Sequence, residues 1–143
     1  MPGISGLQTT GSMVSNSLMS NQQDIHISVI PHYLQDQSVP EDNQYVFAYT
    51  VTMENRGETA AQLLTRHWII TDSDGKTEEV RGPGVIGEHP HLKPGDSYEY
   101  TSGAIIQTPV GTMGGSYQMR DENGELFDAI IPTFTLNAEV IFH

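Results

Sequence analysis

An all-β sandwich of two antiparallel sheets is the fold class that this 143-residue sequence predicts, on three observations. Apolar and polar residues alternate with period two in run after run. No window of eleven or more residues keeps a helical apolar stripe free of Gly, Pro or β-branched runs. The alternating runs are separated by Gly, Pro, Asn and Asp turns, which spaces about eight short strands as a sandwich requires.

Ile25, Ile27 and Val29 alternate with Asp24, His26 and Ser28 and mark the first strand, which Pro31 disturbs. From Gln44 one parity reads Tyr45, Phe47, Tyr49, Val51, Met53, and the other Val46, Ala48, Thr50, Thr52, Glu54. That is one large apolar face and one small or polar face, stopped by Asn55-Arg56-Gly57. Gln62 to Thr71 forms the third strand, and Asp72-Ser73-Asp74-Gly75 is a hairpin turn, because Asp and Gly tolerate positive φ. Lys76 to Arg81 returns as a polar edge strand. Ser97 to Gly103 alternates Tyr98 and Tyr100 with Glu99 and Thr101. Ser116 to Arg120 runs into the turn Asp121-Glu122-Asn123-Gly124, Leu126 to Ile131 returns, and Phe134 to Phe142 is expected as a separate last strand.

Strict alternation puts Leu64, Arg66, Trp68 and Ile70 on one face. Trp68, the only Trp, is expected in the core. Arg66 on an apolar face needs an explanation, because an unpaired buried charge is costly. It lies near the strand end and holds loops, pairs with a carboxylate, or is rotated outward by a bulge.

Composition narrows the function. Eighteen Asp and Glu face six Lys and Arg, a formal charge of −12, which argues against nucleic acid and anionic membrane as partners. Cys is absent, so disulfides, thiolate metal sites and a Cys nucleophile are excluded. Residues 1–23 carry no charged side chain and no signal-type apolar run, and read as a disordered extension before one domain over 24–143. With no Cys and no export signal, a cytoplasmic location is expected.

Gly82-Pro83-Gly84-Val85-Ile86-Gly87 contains Gly-x-Gly-x-x-Gly after a strand. A dinucleotide site would open a helix here, but Pro90 and Pro94 and the lack of an apolar stripe forbid one. Two readings remain: a tight loop that needs Gly for its backbone, or a nest of N–H groups for an anion. Glu78, Glu79 and Glu88 flank the loop against Arg81 and Lys93, and Pro83 removes one N–H donor. His89 and His91 point the same way in an extended segment, yet spacing places no third ligand beside them, so no metal site is expected. Nucleophile elbow, zincin and P-loop lysine patterns are all missing. No catalytic residues and no cofactor are expected.

A series of motifs follows in a fixed order. They are Tyr33-Leu34 with Gln37-Ser38, Tyr45-Val46-Phe47-Ala48-Tyr49, and Arg66-His67-Trp68-Ile69-Ile70-Thr71-Asp72. Gly82 to Pro90, Leu92-Lys93-Pro94-Gly95, Tyr100-Thr101-Ser102-Gly103 and Thr108-Pro109 with Gly111, Met113, Gly115 and Tyr117 complete the series. Taken together they resemble the ApaG family, also called CorD, and the resemblance covers about Asp24 to His143. It implies a fibronectin type III-like, immunoglobulin-like sandwich in a small cytoplasmic bacterial protein, a protein-interaction role in related eukaryotic domains, and a name tied to cobalt and magnesium tolerance. It also implies a pyrophosphate or nucleotide (diadenosine polyphosphate) proposal, which lands on Gly82, Gly84 and Gly87.

The expected function is therefore a non-catalytic module that binds a protein partner through the loop, with Gly82, Gly84, Val85, Ile86, Gly87 and Pro90 joined by Arg66, Thr101 and Ser102. Weak nucleotide or pyrophosphate binding at the same loop is the alternative, with an indirect metal-tolerance role behind it. Edge strands and Val140-Ile141-Phe142 suit either a homodimer or closure of the sandwich, and the sequence leaves both open.

Overall fold

The computed structural model describes residues 22–138. Within them the strands are β1 (Ile25–Tyr33), β2 (Tyr45–Asn55), β3 (Ala61–Asp72), β4 (Thr77–Pro83), β5 (His91–Leu92), β6 (Ser97–Ile106), β7 (Val110–Asp121) and β8 (Leu126–Asn137). One sheet has the order β1-β2-β6. The other has the order β4-β3-β7-β8, with short β5 also paired to β3. Every ladder among the described residues is antiparallel. The all-β sandwich of two antiparallel sheets is thus the observed fold.

β2 shows why the alternation was readable. Phe47, Tyr49, Val51 and Met53 all face the core and are buried, while Val46, Ala48, Thr50 and Thr52 are half-buried on the other face. Between the sheets, Tyr49 meets Trp68 edge-on with centroids 5.1 Å apart, and Trp68 meets Phe134 at 6.0 Å and 90°. Edge-to-face geometry places a ring's positive rim on its neighbour's negative face, adding about 0.5–1.5 kcal/mol per pair to area burial. The Tyr100 and Tyr117 hydroxyls sit 2.5 Å apart and join β6 of one sheet to β7 of the other. Burial pushes both phenols far above their ordinary range, so both stay protonated and one hydroxyl donates to the other.

The two predicted Asp-x-x-Gly turns are built alike. Gly75 and Gly124 adopt φ of 83° and 84°. Each turn's leading aspartate accepts N–H bonds with Oδ1, Asp72 from Asp74 and Lys76, and Asp121 from Asn123 and Glu125. Asn55, at the predicted end of β2, is buried. It donates to Thr59 O and Leu92 O and accepts from Gly57 N, tying the crossover to β5.

Three expectations need adjustment. First, β3 carries a bulge between Leu63 and Thr65. Leu63, not Leu64, enters the core with no exposed surface, and inward facing resumes downstream at Trp68. Second, the two predicted terminal strands are one, since β8 runs unbroken through Pro132. The β7–β8 register shifts between Met113 and Gly115, opposite Pro132, so the proline lies at an irregularity on an edge strand, where a missing N–H is tolerated. Third, Gln22 and Gln23 already touch the sandwich. Gln22 O accepts from Glu58 N and Thr59 N, and Gln23 Nε2 donates to Asp121 Oδ2 at 2.8 Å. The rest of the predicted extension, residues 1–21, and Val140-Ile141-Phe142 lie outside the described residues.

The two long sides of the sandwich differ. β1 packs along β8 on one side. On the other, β4 and β6 stand apart over a groove lined from both strands.

Candidate functional site

The glycine loop is fastened to β3 at its bulge. Gly84 N donates to Leu64 O and Leu63 N donates to Pro90 O, both at 2.9 Å. Val85 and Glu88 exchange two backbone bonds of 2.9 and 2.8 Å and close a four-residue turn. Its central residues, Ile86 and Gly87, have φ of 44° and 80°, the mirror-image turn that suits right-twisted hairpins. Gly87 accepts this freely. Ile86 does not, because a β-branched residue at positive φ is strained by about 1–3 kcal/mol. Ile86 nevertheless stands 58% exposed at the tip. Val85 and Pro90 are buried beneath it and anchor the loop rather than present it.

Arg66 explains the first glycine. Its Nη1 donates to Pro83 O at 2.8 Å and Gly84 O at 3.0 Å. Its guanidinium lies so close over Gly82 that a Cβ there would meet it at 2.8–2.9 Å. A Cβ on Gly84 would strike Glu88 O. Two glycines of the motif are therefore required by packing inside the protein. Of the sequence alternatives for Arg66, the loop-holding role is the observed one. No carboxylate lies within ion-pair distance of it among the described residues.

Arg66 also faces the groove between β4 and β6, a space of about 590 Å³. Tyr49, Trp68, Ile70 and Met113 line it from the sheet interiors, Val80 and Glu78 from β4, and Ser102, Gly103 and Ala104 from β6. Burial raises the Tyr49 phenol, offset in part by the Ser102 side chain and the Arg66 charge. A second space of about 260 Å³ shares Ile70, Glu78 and Ile105, and adds Asp42, Asp72 and Lys76. Of the predicted site residues, Arg66 and the loop come together and Ser102 lines the same groove. Thr101 points to the opposite face, where its hydroxyl meets that of Thr50 at 2.9 Å.

On the outer face of β3 and β4, His67 Nε2 lies 2.8 Å from Glu79 Oε1, and Arg81 bonds the same oxygen at 3.3 Å. The His67 hydrogen bond, with help from Arg81, holds the Glu79 carboxyl below its ordinary range. His89 Nδ1 meets Leu63 O at 3.2 Å, so that ring serves the loop. No group of three His, Asp or Glu side chains placed to hold a metal ion occurs among the described residues.

Sequence reasoning missed the groove. Val80, Ala104 and Ile70 look like ordinary strand residues, and only the sheet edges make them walls. One signal was available: from Tyr100 to Ile106 the chain holds no charged residue and no proline, unusual for an edge.

The model of the ApaG domain matches residues 35–121, which span the groove, the loop and most strands. The chain belongs to the ApaG family. It is 53% identical over 126 residues to Protein ApaG of Pseudomonas paraeruginosa, covering 88% of this chain and all of that one. It is 57% identical over 119 residues to Protein ApaG of Thiobacillus denitrificans, covering 83% and 94%. Among solved structures, an ApaA protein from Bordetella pertussis superimposes with a TM-score of 0.81 at 48% identity, covering 83% of this chain and 97% of that one. A protein from Archaeoglobus fulgidus superimposes at 0.51 with only 8% identity, over 82% of this chain and all of that one, a likeness of fold alone.

Proposed function

We propose that this ApaG-family chain is a non-catalytic module that binds a protein partner, and that the Gly82–Pro90 loop is the part that meets it. One observation carries the reading: Ile86, apolar and exposed, is held at a φ of 44° where Asn or Gly would be relaxed. A strained apolar side chain raised into solvent is costly for a monomer and useful at an interface. The loop's polar groups favour a protein over an anion. The N–H groups of Gly84, Val85 and Glu88 already have internal acceptors, and Arg66 is turned onto backbone carbonyls. No helix among the described residues is long and apolar enough to cross a membrane. A cysteine-free chain suits a reducing cytoplasm.

Two variants test this together. Ile86→Asn should relieve the turn and raise stability by about 1 kcal/mol in urea denaturation, while losing recovery of the partner from lysate. Ile86→Asp should lose recovery with the fold intact. Equal recovery by wild type and Ile86→Asp would remove the loop from the interface.

A further inference from the structure

The groove between β4 and β6 has a polarity of its own. Along β4, Glu78, Val80 and Gly82 share the inward face, as residues two apart in a strand must. Gly82 brings Arg66 with it, since the guanidinium covers that glycine. The wall therefore reads carboxylate, apolar, guanidinium over four residues, roughly 13 Å of extended chain. Arg66 uses Nη1 on two carbonyls, and among the described residues its Nε and Nη2 meet no hydrogen-bond acceptor. At the carboxylate end, Glu78 is joined by Asp42 and Asp72 against the single Lys76, whose Nζ is bonded to Gln107.

The facing wall is β6, and β6 is an open edge. Among the described residues it pairs with β2 and no other strand. Its inward residues there, Ser102 and Ala104, are small, and they leave Ile70 and Val80 only half-covered above a floor of buried Trp68 and Tyr49. The other edge strands are guarded, and β5 is only two residues long. β1 carries Pro31, β8 carries Pro132, and β4 carries Glu78, Glu79 and Arg81 and ends at Pro83. Proline, charge and brevity are how sheets refuse an added strand, and β6 has none of them from Tyr100 to Ile106.

We propose that β6 accepts an extended segment of a partner protein as an added strand. The segment's inward side chains are a Lys or Arg against Glu78, an apolar residue against Val80 and Ile70 above the buried Trp68, and a carboxylate against Arg66, at positions i, i+2 and i+4. Backbone bonds to β6 supply sequence-independent affinity, and the three side chains select the sequence. Charge decides between a foreign segment and a second copy: a copy brings the same −12, whereas a segment led by a basic residue is drawn to the acidic end. The proposal deepens the reading of the chain as a protein-binding module, but it uses a surface distinct from the Ile86 tip.

The test is panning of a displayed library of random segments about seven residues long against the full chain. The expected consensus is a basic residue and an acidic residue four apart with an apolar residue midway. A synthetic peptide of that consensus should change the emission of Trp68, the only Trp. Glu78→Lys should weaken it by about tenfold, and a peptide with its basic residue changed to Glu should recover on that variant. Glu78 is exposed, so its reversal leaves the core intact. No enrichment, or peptides indifferent to Glu78→Lys, would overturn the proposal. So would a homodimer, found by sedimentation, that excludes every peptide. Peptides lost with Ile86→Asp and unaffected at Glu78 would overturn the groove and leave the loop reading standing.

Discussion

The two long sides of this sandwich are made of similar residues and end differently. On the β1/β8 side the strands approach, and Ile27, Ile131 and Leu136 are buried to within 3% of their surface. On the β4/β6 side, the inward-facing Val80, Ile70 and Ala104 are only half-buried. A sandwich must bury one face of each sheet, but nothing requires both sides to close. The closed side is where apolar area becomes stability, and the open side is where it remains available to a ligand.

The largest expected effect breaks the closed side. Ile131→Ala removes most of a fully packed side chain and should lower unfolding free energy by about 2–5 kcal/mol in chemical denaturation. Val80→Ala, over the groove, should cost under about 1.5 kcal/mol, because its surroundings are already open. Equal losses would mean that the groove is closed in solution.

A smaller effect is expected behind the groove, at the hydrogen bond by which Tyr100 and Tyr117 join the two sheets. Tyr100→Phe leaves the buried Tyr117 hydroxyl without its partner and should cost about 1–3 kcal/mol. Replacing both should cost less than the sum of the single changes, as a double-mutant cycle would show.

The smallest effect concerns pH. Asp121, at the β7–β8 turn, is held below the ordinary carboxylate range, first by Gln23, against an opposing desolvation, and then by the N–H groups of Glu125 and Asn123. A depressed carboxylate stabilises above its unfolded value of about 3.9 and loses that contribution as pH falls through the folded value. Asp121→Asn should therefore flatten the acid limb of a stability profile below about pH 4. Glu79, lowered chiefly by its His67 bond but 53% exposed on β4 and so screened by solvent, should leave that limb unchanged when made Gln.

Much of the fold could be read from the sequence, for reasons visible in particular residues. β2 announced itself because its two faces differ in kind, and the Asp-x-x-Gly turns because only certain residues relax at positive φ. The bulge at Leu64 was illegible, since Leu63 and Leu64 are equally apolar and only pairing decides which one turns inward. Pro132 suggested a break because its edge position and the irregularity opposite it depend on β7. At the candidate site, the glycine pattern was seen but its cause was not. Gly82 answers to Arg66, sixteen positions away in the chain and adjacent in the sheet.

The sequence by itself determined the period of the strands, the turns, the charge and the family, because each rests on residues close in the chain or on composition. Tertiary structure alone decided that Arg66 would hold the glycine loop, that Ile86 would be strained at its tip, and that β4 and β6 would stand apart. Those outcomes depend on which strands become neighbours and which become edges. An edge is a property of the assembled sheet, set by pairing between residues far apart in the chain.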